Sequence, residues 1–191
     1  GALISCGFGT AYEALLRADV NGRDSVLVIG LGPVGLAVAM LARALGARRV
    51  VGLDLVPERQ ELAQSLGLLT ALASAEPADD LFTVVMECSG SAPGRAAALE
   101  RADTWGRVVF VGEGPHMGQI DVSKQVIHKQ LQLHGSWVTS LPHMAELVEL
   151  LAAWELRPSA IVTHTFSLEQ ADEAYRVASD ARAGKVSIVM E

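Results

Sequence analysis

Apolar positions along the chain alternate between two textures. Short uninterrupted apolar runs, "SVLVI" at 25–29, "RRVVGLDL" at 48–55, "LLTALAS" at 68–74, "LFTVVMECSG" at 81–90, "GRVVFVGEG" at 106–114 and "LQLHGSWV" at 131–138, show no helical period and read as six buried strands. Between them lie segments with apolar residues at helical spacing. These are "YEALLRAD" at 12–19, a segment from Pro33 to about Leu45, "PERQELAQSLG" at 57–67 and "APGRAAALERAD" at 92–103. Pro33 and Pro57 sit at first-turn positions, where a missing N–H costs nothing. Gly46 and the turn "VNGRD" supply stops. Strands alternating with helices predict an α/β fold built on a parallel, doubly wound six-stranded sheet, because parallel neighbours need crossovers. Residues 73–80, "ASAEPADD", read as a polar loop where a longer helix is common in such folds. From Leu141 the pattern changes to two amphipathic helices, "LPHMAELVELLAAWEL" and "SLEQADEAYRVASDARAG". A last strand, "GKVSIVM", is free to join another sheet.

Composition narrows the function classes. Half of the 191 residues are hydrophobic and 19% are charged, which fits a sheet covered on both faces. The apolar stretches are broken by Gly, Pro and Arg before they reach the roughly 20 residues of a bilayer span, so neither disorder nor a membrane is expected. A net charge of −7 gives no basic footprint for nucleic acid or anionic lipid. Two distant cysteines, Cys6 and Cys88, form no disulfide framework and fit a reducing, cytoplasmic setting. The chain begins at Gly1 on "GALISCGFGTAYEALL", and the expectation is that this opening continues an upstream segment.

Chemistry concentrates where the first strand meets the next helix. Gly30, Gly32 and Gly35 stand at Gly-x-Gly-x-x-Gly spacing. In a dinucleotide fingerprint the first glycine permits the tight turn, the second admits a pyrophosphate and the third lets helix and strand pack closely. The helix N-terminus adds free N–H groups and a partial positive charge. The spacing alone is weak, but Asp54 closes the second strand 24 residues after Gly30, where a carboxylate can accept both hydrogen bonds of an adenosine ribose diol. Its charge opposes a 2′-phosphate, so NAD is expected over NADP. A methyltransferase also places glycines after its first strand, but with a Gly-x-Gly-x-Gly loop that this sequence lacks.

"SCGFGTAY", "VIGLGPVGL", "VVGLDL" and "GKVSIV", in that order and spacing, resemble the zinc-dependent medium-chain alcohol dehydrogenases over nearly the whole chain. The resemblance implies the C-terminal, NAD-binding half of such an enzyme. Residues 1–8 would end a catalytic domain, 9–137 form the Rossmann domain and 138–191 return to the catalytic domain. It also implies roles residue by residue. Cys6 matches a thiolate ligand of the catalytic zinc, and Thr10 a hydroxyl near the nicotinamide. Gly30, Gly32, Pro33, Val34 and Gly35 match the pyrophosphate turn, and Asp54 the ribose acid. Arg59 matches a basic residue near the adenosine ribose, and Val111 a residue whose backbone meets the carboxamide. Lys185 matches a basic residue reaching the pyrophosphate from the returning segment. Taken alone, Cys6 fits a small buried hydrophobe, and Arg59 and Lys185 fit solvated charges. Cys88 fits a core thiol, and His128, His134 and His164 show no ligand spacing.

A catalytic zinc needs three protein ligands and an open position, and this chain offers one candidate, so the chain alone is expected to turn over little alcohol. The resemblance implies a small alcohol, aldehyde or ketone substrate. It also implies a homodimer or tetramer joined through the sixth strand, Leu131 to Val138, whose exposed apolar edge is otherwise an aggregation hazard. Two other readings are a zinc-free NADPH-dependent quinone or enoyl reductase, opposed by Asp54 and Cys6, and a stand-alone NAD-binding or redox-sensing module. The shortened 73–80 loop puts the adenine-side wall in question.

Overall fold

In the computed structural model, which describes residues 1–72 and 80–190, the alternating pattern resolves into eight strands and six helices. The larger sheet contains β1 (Ser25–Ile29), β2 (Arg49–Asp54), β3 (Leu69–Leu72), β4 (Phe82–Glu87), β5 (Ala102–Phe110) and β6 (Gln132–Gly135). Every neighbouring pair is parallel, in the order β3-β2-β1-β4-β5-β6. The chain runs outward from β1 in one direction and then restarts beside β1 at β4. That reversal makes the carboxyl ends of β1 and β4 the topological switch point, the place where open α/β sheets bind ligands.

Strand alternation decides which helices cover which face. Val26 and Val28 of β1 join one core with α1 (Gly9–Arg17), α2 (Pro33–Ala44), Ala63 of α3 (Pro57–Ser65) and Leu147 of α5 (Leu141–Ala153). Leu27 and Ile29 point the other way, toward Ala98 and Leu99 of α4 (Ala92–Arg101). A strand buried on both faces cannot alternate polar with apolar, which is why "SVLVI" is uniformly apolar. Complete burial of a residue such as Leu36 contributes about 2 kcal/mol.

Four helices, α1, α2, α3 and α5, end on one device. At α2, Gly46 takes φ +90°, its N–H bonds the Arg43 carbonyl, and the Ala47 N–H reaches back to Ala42 at 3.0 Å. Gly67 ends α3 in the same way. This left-handed cap satisfies carbonyls that the helix leaves free. Asp19 and Glu155 repeat it after α1 and α5 without glycine, at φ 48° and 53°.

The structure departs from the sequence reading in four places. The opening residues Leu3–Phe8 form a π-helical turn continuous with α1, which begins at Gly9 rather than Tyr12. Strand β5 starts at Ala102, several residues early, because an irregularity carries the chain through Trp105 at φ 65° while Phe82 still pairs with Ala102. Strand β6 is limited to Gln132–Gly135, so the expected Leu131–Val138 edge is shorter. The segment "VTHTF", not expected as a strand, is β7 (Val162–Phe166), and it pairs in parallel with β8 (Lys185–Ile188). The described residues therefore form a six-stranded sheet and a separate two-stranded one, and the last strand leaves the main sheet, crossing back through α6 (Ala171–Ser179). The "ASAEPADD" loop falls, except for Asp80, outside the described residues.

A candidate dinucleotide-binding site

Each glycine of the turn has a distinct steric reason. Gly30 takes φ +91°, and a Cβ there would lie 2.8 Å from the Ser89 nitrogen. A Cβ on Gly35 would lie 1.8 Å from the Gly30 carbonyl oxygen, so α2 approaches β1 only because this side chain is absent. Gly32 is different. Its φ of −65° is ordinary, and a Cβ would meet nothing nearer than the Arg59 guanidinium at 4.0 Å. Gly32 thus faces open space at the start of α2, where no side chain caps the helix. The N–H groups of Val34 and Gly35 belong to that first turn, and Pro33 has none to give. An uncapped helix start beside a vacant Cβ position fits a phosphate.

Asp54 is brought to the same turn. Its carboxylate is buried and accepts the Leu31 N–H at 2.6 Å on Oδ2 and the Val56 N–H at 2.9 Å on Oδ1. The Arg59 guanidinium stands 3.5 Å from Oδ2, while the Gln60 side chain donates to the Asp54 carbonyl at 2.6 Å. The acid is therefore held by the phosphate turn itself. Each carboxylate oxygen has two lone pairs, so Oδ1 retains one for a ligand hydroxyl. Arg59, close to both Gly32 and Asp54, carries a buried Nε without a partner among the described residues, an arrangement suited to an anion or a ribose.

On the other side of the switch point, Val111 leaves β5 with its N–H on the Glu87 carbonyl at 2.9 Å. Thr10 lies in the first turn of α1, next to Gly9, where a Cβ would lie 2.8 Å from the Thr139 methyl. The start of α1 thus touches the segment after β6. Lys185 opens β8, and its neighbour Gly184 packs on Leu62 of α3. Cys6 is exposed in the turn ahead of α1. Among the described residues, no group of three or more His, Cys, Asp or Glu is placed to hold a metal ion, and a lone thiol does not make a zinc site. Burial, and then the neighbouring Glu87 carboxylate, raise the Cys88 thiol far above its ordinary pKa.

Sequence reasoning does not single out Glu87, Arg95 or Gln60. Glu87, fully buried at the end of an apolar strand, had a visible signal, since an acid there demands partners.

A family model described as zinc-binding dehydrogenase matches residues 33–153. The chain belongs to the zinc-binding dehydrogenase family. It is 45% identical, over 98% of its length and 56% of the relative's, to the uncharacterized zinc-type alcohol dehydrogenase-like protein YphC of Escherichia coli (strain K12). It is 34% identical to the L-threonine 3-dehydrogenase of Anaeromyxobacter dehalogenans (strain 2CP-C), over 94% of this chain and 54% of that protein. Alcohol dehydrogenase TADH from Thermus sp. ATN1 superimposes with a TM-score of 0.84 at 32% identity, across 96% of this chain and 56% of that one. The chain spans about half the length of the curated relatives it matches. The chain carries the parallel Rossmann-like α/β fold typical of NAD-binding domains. No described helix is long and apolar enough to cross a membrane.

One buried acid ties α1 to α5. Glu13 accepts from His143 Nδ1 at 2.6 Å and from Arg17 at 3.2 Å. The His143 hydrogen bond, helped by Arg17 and opposed by burial, holds its carboxyl below the ordinary value of 4.5. Beside it, burial and then the Glu146 carboxylate push the Tyr12 phenol up to about 12. A depressed acid stabilises the fold above its unfolded pKa, and that contribution is lost as pH falls through the folded one. Glu13→Gln is therefore expected to cost about 1 kcal/mol at pH 7 and to flatten the acid limb of melting temperature below pH 4.5. Melting curves of both proteins from pH 3 to pH 7 (about that range) check this, and parallel acid limbs would contradict it.

Proposed function

We propose that this chain is the cofactor-binding part of a dehydrogenase that moves hydride between a small alcohol, or its aldehyde or ketone, and NAD in the cytoplasm. The observation that carries the reading is the Asp54 carboxylate, hydrogen-bonded at 2.6 Å to the N–H of Leu31 inside the glycine turn. It sets a carboxylate beside an uncapped helix start, which supports a role in holding a ribose diol. In this reading the Gly32–Pro33–Val34 turn and the amides at the start of α2 bind the pyrophosphate. Asp54 and Arg59 orient the adenosine ribose, and Lys185 reaches the phosphates from the β8 side. Val111 and Thr10 border the nicotinamide. NAD, when bound, supplies the hydride acceptor. Residues 9–137 form the cofactor-binding unit, while 1–8 and 138–191 belong to a catalytic domain completed elsewhere in a longer protein. Cys6 is the thiolate this chain gives to a zinc site in that protein.

Strand β6 ends the main sheet, with Leu133, Trp137 and Val138 exposed along and beyond it. Pairing of two copies across this edge covers them and extends the sheet, which supports a homodimer or a tetramer built from it. Asp54 also opposes an NADPH-dependent reductase, since its charge faces the position of a 2′-phosphate.

Calorimetric titration of the chain with NAD and with NADP tests the assignment. Saturable binding of NAD with NADP at least about tenfold weaker is expected, a difference of about 1.4 kcal/mol. Equal affinity for both, or tighter NADP, overturns it.

A further inference from the structure

The loops that follow β4 and β5 are locked together by a device that the dinucleotide fingerprint does not include. Glu87 closes β4 with no solvent exposure at all. Its carboxylate accepts the N–H groups of Ser89 at 2.8 Å and Gly90 at 3.1 Å, and the Ser89 hydroxyl as well. Its main-chain carbonyl receives the N–H groups of Val111 and Gly112, both at 2.9 Å. From α4, the nearly buried Arg95 guanidinium stands 3.8 Å from the Glu87 carboxylate. The same guanidinium donates to the carbonyls of Gly112 at 2.9 Å, Gly114 at 2.8 Å and His116 at 2.7 Å. One planar fork thus holds three carbonyls of the loop after β5 while its charge is balanced by a buried acid.

The two loops also touch without intervening side chains. A Cβ on Gly90 would lie 2.1 Å from the Glu113 carbonyl oxygen, and one on Gly112 would lie 2.1 Å from the Gly90 nitrogen. The contact leaves no slack, so the course of residues 111–116 is set by where Arg95 holds their carbonyls.

Position gives this a consequence. Asp54 ends β2, on one side of the β1–β4 reversal, and the Arg95-held loop ends β5, on the other. A dinucleotide with its adenosine ribose on Asp54 and its phosphates on the α2 start extends its second ring over the β4 and β5 loops. The geometry points to Arg95 as a positioning residue for the nicotinamide half of the cofactor. It acts through the 111–116 loop and does not touch the ligand. The inference rests on the NAD reading above and adds a division of labour to it. Asp54 sets the adenosine half, and the Glu87–Arg95 pair sets the half that carries the reacting ring.

The test compares two ligands on the intact chain. NAD carries the nicotinamide, and ADP-ribose keeps the adenosine, the pyrophosphate and the second ribose without it. Titration of wild type, Arg95→Met and Arg95→Lys by calorimetry is expected to show NAD affinity falling about tenfold in Arg95→Met, with ADP-ribose changing less than about twofold. Arg95→Lys keeps the charge opposite Glu87 but loses the fork, and is expected to fall in the same direction by a smaller factor, again for NAD alone. ADP-ribose binding reports the integrity of the fold in each variant. An equal loss for both ligands makes Arg95 a support of the fold only and overturns the inference. Unchanged NAD binding in both variants also overturns it. A wild-type chain that binds ADP-ribose but not NAD overturns the inference and leaves the adenosine site standing. One that binds neither overturns the NAD reading itself.

Discussion

Asp54→Asn is expected to lower NAD affinity by roughly ten- to a hundredfold, the weight of hydrogen bonds to a charged group, while leaving NADP binding nearly unchanged. The asymmetry is the informative part. In the native chain the carboxylate accepts Leu31 N–H on one oxygen and Val56 N–H on the other. A carboxamide accepts on one side only and presents its own NH₂ to the second donor. The variant therefore loses both the anionic acceptor for a ribose diol and one anchor of the glycine turn. Loss of the turn anchor lowers the melting temperature and weakens any dinucleotide. Loss of the charge penalises NAD and relieves repulsion of a 2′-phosphate. The ratio of NAD to NADP affinity separates the two effects, because the structural contribution cancels in it. Titrations of both cofactors against both proteins check this. An unchanged ratio shows that Asp54 shapes the turn and does not read the ribose.

The elements that position this carboxylate are legible in the sequence because their causes are local. A buried central strand must be apolar at every position, so "SVLVI" declares β1. Pro33 and Gly46 mark the ends of α2 through the two backbone conformations that proline and left-handed glycine favour. Asp54 stands out as an acid ending an apolar run. What the sequence hides is decided between elements. Strand β7 alternates weakly and leaves Thr163, His164 and Thr165 exposed, so "VTHTF" carries no burial pattern to read. The early start of β5 depends on Trp105 adopting φ 65° and on Lys129 accepting its N–H at 2.7 Å, a contact across 24 residues. The Glu87–Arg95 pair joins a strand end to the next helix. Its purpose becomes visible only when the loop after β5 folds over both. The roles expected for Cys6, Thr10 and Lys185 concern a bound cofactor or metal and stay with the proposed function.

The glycine turn supplies the sharpest contrast between stability and binding. Gly35→Ala places a methyl group 1.8 Å from the Gly30 carbonyl oxygen, deep inside van der Waals contact. That oxygen is backbone in a turn fixed by the Gly30 N–H bond to Leu53 at 2.8 Å, so it cannot rotate away. Relief requires α2 to draw back from β1, which opens the packing of Leu36, Val38 and Leu41, all completely buried. A cost of about 3 kcal/mol is expected from overpacking of this kind, which for a chain of this size lowers the melting temperature by roughly 6–12 °C. Gly32→Ala, three residues earlier, should behave in the opposite way. Its backbone is already in a conformation alanine adopts, and the new methyl meets no atom closer than 4.0 Å. The fold should melt within about 2 °C of wild type, in line with a surface substitution away from packed features. NAD affinity should nevertheless fall about tenfold or more, because the methyl fills the space through which a pyrophosphate approaches the start of α2. Thermal melts paired with NAD titrations on the two variants decide the matter. If Gly32→Ala binds NAD as wild type does, the open space beside Arg59 is not where the phosphates lie. If Gly35→Ala melts normally, the close approach of α2 to β1 is not what the third glycine secures.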